Sequence, residues 1–333
     1  MKEIFRRLSE AMGPAGAEEG VRKVLEEELE GVVDRLETDA LGNLYAIREP
    51  EGEGGLTVLL DAHMDEIGLV VTYVEEEGFL RVAPIGGVSP QVALGQRVRF
   101  LGGAEGVVAA DHLDDPKELA MKHLRVDIGA ASREEALARV QIGEAGVFVR
   151  PVVEAGEHRL IAKAADNRAG CAVLVEVLKG LKASPHRVVA VFAVQEEVGL
   201  RGAGPAAYRV DPDLAIAIDV TLTGDTPEAP KMAVELGKGP AIKAMDRSVI
   251  AHPAVRRLLA ETARDAGIPY QMEVLTRGGT DAGAIQLSRE GVPTGAVSIP
   301  CRYVHTPSEM VDLRDMAGAR DLLVALLQRP ITL

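Results

Sequence analysis

Two adjacent glutamates stand at the mouth of an apolar run in the segment AVFAVQEEVGLRGA, residues 190–203. Val188–Val194 reads as a buried strand, and Glu196 and Glu197 lead from it into a glycine-rich turn. Extended backbone points neighbouring side chains in opposite directions, so these two carboxylates address different points. Other strand ends carry further ionisable groups. DAHMDEIG offers His63 and Asp65, AADNRAG offers Asp166, IAIDV offers Asp219 and CRYVHTPSEM offers His305. In open α/β sheets the ligand crevice lies outside the carboxyl ends of strands. Two imidazoles and five carboxylates placed there suit Zn²⁺ and its first-row neighbours. A pair of metals needs a bridging carboxylate and one or two further ligands on each ion.

Each residue taken singly has a plainer explanation. A lone strand-end histidine is more often a hydrogen-bonded group than a ligand. Asp166 before Asn167-Arg168 caps the following helix in the usual way, Asp219 begins a turn, and Glu196 and Glu197 form a solvated pair. With a net charge of −14, isolated acids are weak evidence. The weight rests on their common placement at the ends of apolar strands.

The elements that position them follow from periodicity. A helix is expected over residues 17–30 and a strand over Leu56–Leu60. From about 70 to about 160 the texture changes to short strand candidates broken by Gly, Pro or Asp. These are GLVVTYVEEEGFLRVAPIGG as a hairpin, RVRFLG, EGVVAA, LRVDIGA and GVFVRPVVE, with one short helix at Ser132–Val140. After about 162 strands and helices alternate: helix Asn167–Leu181, strands Val188–Val194 and Leu214–Ile218, helix His252–Ala266, strand Gln271–Leu275, helix Asp281–Arg289, strand Thr294–Ile299 and helix Leu313–Leu327. Apolar strands between helices predict an α/β fold with a sheet covered by helices on both faces. The larger unit is expected to be split, residues 1–69 and 161–333, around a β-rich insert at 70–160. Gly278-Gly279-Thr280-Asp281 predicts a tight turn with a helix cap at Thr280 or Asp281; a loop lining a substrate pocket is the functional alternative, with no catalytic role for Asp281. Arg168 is expected either to pair with a ligating carboxylate or to lie on a helix surface.

Composition narrows the classes. The chain has 333 residues, 47% hydrophobic and 26% charged, as ordinary globular proteins do. Its acidity and lack of a basic block argue against nucleic acid as a partner. No apolar stretch reaches bilayer length, and the charged amphipathic start lacks the apolar core of a signal peptide. Two distant cysteines, Cys171 and Cys301, both expected to be structural, suggest a reducing, cytoplasmic location.

The motifs AHMDEIG, DNR, QEEVGLRGA, the strand-end Asp219, RGGTDAGA and VHTPSEM, in this order, resemble the M42 family of metallo-aminopeptidases, related to glutamyl aminopeptidases and often labelled endoglucanases. The resemblance covers essentially the whole chain. It implies a zinc-peptidase-like catalytic domain with two divalent metal ions per subunit, Zn or Co. Asp166 would bridge them, His63 and Asp219 would complete one side, and Glu197 and His305 the other. Glu196 would be general base and acid, and Asp65 would orient His63. The Asp166–Asn167 peptide is expected to be cis. The insert would be PDZ-like and pack subunits into a homo-oligomer, a tetrahedral dodecamer built from dimers, acting on short peptides. Two rival readings remain: a glycosidase using Glu196 and Glu197, disfavoured by 3% aromatic residues and no Trp, and a non-catalytic assembly protein, disfavoured because the base accompanies all the ligands.

Overall fold

The computed structural model describes residues 1–52 and 55–332. The chain opens with α1 (Lys2–Glu10) and α2 (Glu19–Leu29), whose stripes Ile4, Phe5, Leu8 and Val21, Leu25, Leu29 are buried. Strands β1 (Arg35–Thr38), β2 (Leu44–Arg48) and β3 (Thr57–His63) follow. Next come β4 (Gly68–Val74), β5 (Leu80–Ile85), α3 (Pro90–Ala93), β6 (Arg97–Phe100), β7 (Glu105–Ala110), β8 (Leu124–Asp127), α4 (Arg133–Leu137) and β9 (Ala145–Phe148). Their six strands close into a barrel in the order β4-β5-β8-β7-β6-β9. It has its own apolar core, including Leu69, Leu80, Val98, Phe100 and Val126.

The remainder is β10 (Val153–Ala155), β11 (Arg159–Ala162), α5 (Ala165–Gly180), β12 (Arg187–Ala193), α6 (Ala203–Val210), β13 (Leu214–Thr221), β14 (Ala241–Met245), α7 (Pro253–Asp265), β15 (Gln271–Val274), α8 (Ala282–Ile285), β16 (Thr294–Arg302), β17 (Glu309–Asp312) and α9 (Leu313–Leu327). With β1 to β3 these strands make one 11-stranded mixed sheet, ordered β1-β2-β12-β3-β13-β16-β17-β11-β10, with β14 paired to β16 and β15 to β14. At its centre β12, β3, β13 and β16 run parallel.

Alternation along these strands buries both faces. Val188, Ala190 and Phe192 of β12 pack with α1, α2, α5 and α9, while Val189, Val191 and Ala193 pack with α6 and α8. The expected single strand GVFVRPVVE is instead two. β9 closes the barrel and β10 joins the large sheet, with Pro151, which has no N–H to give a ladder, between them. The expected helix 281–289 stops at Ile285, and the chain turns back at Arg289, where φ is 52°.

Arg168 fits neither sequence expectation. It is fully buried, and it pairs with Glu66, which lies outside the expected ligand set, at 3.2 Å. Its other N–H groups donate to the carbonyls of Met64, Leu8, Ala11 and Gly13. Lys163, also buried, donates to both Glu66 oxygens at 2.7 and 2.6 Å. One carboxylate thus balances two buried cations and ties the segment after α1 to the end of β3. Removing it leaves both cations unpaired in the interior, so Glu66→Gln is expected to cost about 3–5 kcal/mol. Equilibrium urea unfolding measures this, and a loss below about 1 kcal/mol would mean the cluster does not hold the fold.

Candidate metal centre

Strand ends bring the ionisable groups together. His63 is the last residue of β3 and Asp219 lies near the end of β13. Glu196 and Glu197 follow β12, His305 follows β16 and Asp166 follows β11. The face is set by alternation. Val58, Leu60 and Ala62 turn into the core beneath α5, so Asp61 and His63 turn to the other face. Asp219 joins them there because Ile218 and Val220 take the α5 side.

Asp166 sits between the two histidines. Its Oδ1 is 3.1 Å from His63 Nε2 and its Oδ2 is 3.4 Å from His305 Nε2. His63 Nε2 is also 3.6 Å from Asp219 Oδ1, and His305 Nε2 is 3.2 Å from Glu197 Oε2. Two groups result, His63–Asp166–Asp219 and Asp166–Glu197–His305, each with its ligand atoms within 4.8 Å of one another. Glu196 belongs to neither, and its Oε2 lies 3.9 Å from His63 Nε2. The helix cap that spacing offered to Asp166 is made by Asn167, whose Oδ1 accepts from Gly170 N–H at 3.0 Å. Both Asp166 oxygens are thereby left to face the histidines. The Asp166–Asn167 peptide is cis, as the resemblance implies.

Two buried carboxylates hold the backbone of this centre. Asp65 lies 3.3 Å from His63 Nδ1, and its two oxygens also accept the N–H of Glu196 at 2.9 Å and of Glu197 at 3.1 Å. Glu309 does the same on the other side, accepting from Asp166 N–H at 3.0 Å and His305 N–H at 2.7 Å. Glu309 is the E of VHTPSEM. Spacing marks its presence but not its job, because a carboxylate that receives backbone amides leaves no periodic trace. Spacing does not mark Glu66, the residue after Asp65, either, because its cationic partners Lys163 and Arg168 lie about a hundred residues further along the chain.

The electrostatics favour added positive charge. Burial pushes the carboxyls of Glu196, Glu197 and Asp219 up, and the acids around them push further. Burial acts the same way on Asp166, but hydrogen bonds with His305 and His63 outweigh it and hold that carboxyl below its ordinary range. Burial opposes protonation of His305, yet Asp166 and Glu197 push it up to about 11. Carboxylates outnumber the cations available to them, and oxygen and imidazole donors converge on two points. That donor set fits divalent metal. Behind His63, burial pushes Asp61 up to about 7, and burial with Asp61 beside it raises Asp281 well above the usual range. Asp281 occupies the N-cap position of α8, one of the two positions expected, but makes no side-chain capping bond. Thr280 Oγ1 donates to Asp246 instead. Cys171 and Cys301 are free and buried, and burial raises both thiols.

The centre opens into a cavity of about 630 Å³, lined on its apolar side by Leu200, Leu222, Leu275 and Val304, with Gly278 and Gly279 beside them. The barrel reaches the centre too. Gly86 and Gly87 follow β5, and a Cβ at Gly87 would lie 2.3 Å from His305 Nδ1. Gly87→Ala must therefore displace the imidazole. Metal affinity is expected to fall about 10- to 100-fold with the fold retained, which calorimetric metal titration beside circular dichroism tests.

The chain matches the family model described as M42 glutamyl aminopeptidase over residues 42–322. It is 48% identical over 325 residues to a putative aminopeptidase of Acetivibrio thermocellus, covering 97% of each chain. Its structure is similar to aminopeptidase APDkam598 of the archaeon Desulfurococcus kamchatkensis, with a TM-score of 0.94 and 40% identity over 98% of this chain and 94% of that one. It is also similar to the TET1 peptidase of Pyrococcus horikoshii, with a TM-score of 0.86 and 34% identity over 98% of each chain. That peptidase can assemble into a tetrahedron or a large octahedral shell.

Proposed function

The chain belongs to the M42 peptidase family, and from that premise we propose that it is a metal-dependent aminopeptidase removing the N-terminal residue of short peptides. One observation carries the reading above all: the two oxygens of Asp166 face two separate histidine–carboxylate sets. In this reading Asp166 would be shared between two divalent ions, His63 and Asp219 would help hold one, and Glu197 and His305 would help hold the other. Two such ions would lower the pKa of a water and polarise the scissile carbonyl. Glu196, outside both sets, accepts the water's proton and returns it to the leaving amine. Asp65 orients His63 and, through the two backbone N–H bonds, keeps Glu196 and Glu197 in register.

The glycosidase alternative has less support. No Phe, Tyr or Trp lines the cavity, so the side chains on which sugar rings usually stack are missing from its wall. It also leaves His63 and His305 without a role.

Residues 1–69 and 161–333 are proposed as the catalytic unit, with 70–160 as a PDZ-like unit that packs subunits together. A homo-oligomer follows, a dodecamer built from dimers, in a cytoplasmic setting. The assembling relative supports the oligomer, and a monomer-sized species in light-scattering-coupled chromatography with metal present would refute it.

Glu196→Gln is expected to reduce turnover of aminoacyl chromogenic substrates by a factor on the order of 10² to 10⁴ while metal content stays near wild type. Asp166→Ala is expected to lose both. Elemental analysis beside the kinetics separates the two outcomes, and a metal-loaded Glu196→Gln protein with near-normal rates would remove Glu196 as the base.

A further inference from the structure

Arg277 lines the cavity at the metal centre. It also lines a smaller adjoining one of about 130 Å³, together with Leu222, Arg302 and Tyr303. Arg302 there is engaged by Asp225, at 2.7 Å. Arg277 makes no side-chain hydrogen bond or ion pair among the described residues, although it is exposed and lies in a chain with far more acids than bases. An unpartnered arginine on an open surface is ordinary. This one is the only Lys or Arg among the residues lining the main cavity. The cavity's acids are Asp166, Glu196, Glu197 and Asp219. A pair of divalent ions would balance those four carboxylates, so Arg277 would be left as the uncompensated charge. Apart from Thr221 and His305 the remaining wall is apolar or glycine, and no acid outside the centre itself is there to receive a basic side chain.

We propose that Arg277 receives a carboxylate of the peptide substrate and so selects for acidic over basic ligands. The guanidinium suits that task because its planar donors match a carboxylate two-to-two. The apolar wall takes up methylene groups between that carboxylate and the centre. The carboxylate has two sources: the side chain of an N-terminal Glu or Asp, or the C terminus of a short peptide. The inference rests on the aminopeptidase reading of the same centre.

The test compares metal-loaded wild type, Arg277→Gln and Arg277→Lys on two pairs of substrates. One pair is Glu- and Gln-p-nitroanilide, which lack a C-terminal carboxylate. The other is Leu-Ala and Leu-Ala-amide, which lack an acidic side chain. In one pair, the wild-type preference in kcat/KM for the carboxylate-bearing member is expected to fall about 10- to 100-fold in Arg277→Gln, chiefly through KM. Arg277→Lys is expected to keep part of it. A fall in the first pair assigns the side chain, and a fall in the second assigns the C terminus. If Arg277→Gln slows both members of each pair alike, or neither ratio moves, the assignment of Arg277 is overturned. If metal-loaded wild type cleaves none of these substrates, the aminopeptidase reading itself fails and takes this inference with it.

Discussion

Negative charge packed into a buried cleft is the constraint on which the rest of this structure turns. Asp166, Glu196, Glu197 and Asp219 crowd within reach of two imidazoles, and burial works against the charge of all four, prevailing at every one but Asp166. Left to itself such a cluster would spread apart or take up protons. The fold opposes this with backbone anchors rather than with opposing side-chain charge. Asp65 and Glu309 grip the amides of the residues that carry the cluster. Side chains are thereby fixed at their roots, and the carboxylate oxygens stay free for a cation to bring together.

Placement comes from the sheet. Parallel β3, β12, β13 and β16 end on one edge, so residues more than two hundred positions apart in the chain become neighbours. Loops after these strands are bent sharply to aim their side chains. Gln195, Leu200, Tyr303 and His305 all have positive φ, a region non-glycine residues adopt only when their surroundings insist on it. The Glu66–Lys163–Arg168 cluster stiffens the floor beneath, joining the residues after α1 to the turn that carries Asp65.

Much of this was visible in the sequence, for identifiable reasons. Apolar runs such as Val188–Val194 bury on both faces and need no partner to be read as strands. Acids and histidines at their ends stand out because nothing about an apolar strand calls for them. Helices with a clear stripe, such as Leu313–Leu327, kept their bounds. Short elements did not announce themselves. β14 and β17 are four- or five-residue strands that exist because β16 offers them hydrogen-bonding edges, and that is tertiary information. Arg168 was misjudged because sequence shows its charge but not the four carbonyls that receive it. Glu309 and the second duty of Asp65 were hidden for a related reason: their partners are backbone amides, which every residue possesses.

The glycine pair after β5 has a consequence of its own. Gly86 lies against Glu197 and Gly87 against the ring of His305, so the barrel sets the clearance in which these two side chains sit. The absence of side chains makes this contact a gauge. The barrel and the large sheet thus meet at this centre through empty volume, and a side chain at either glycine would close it.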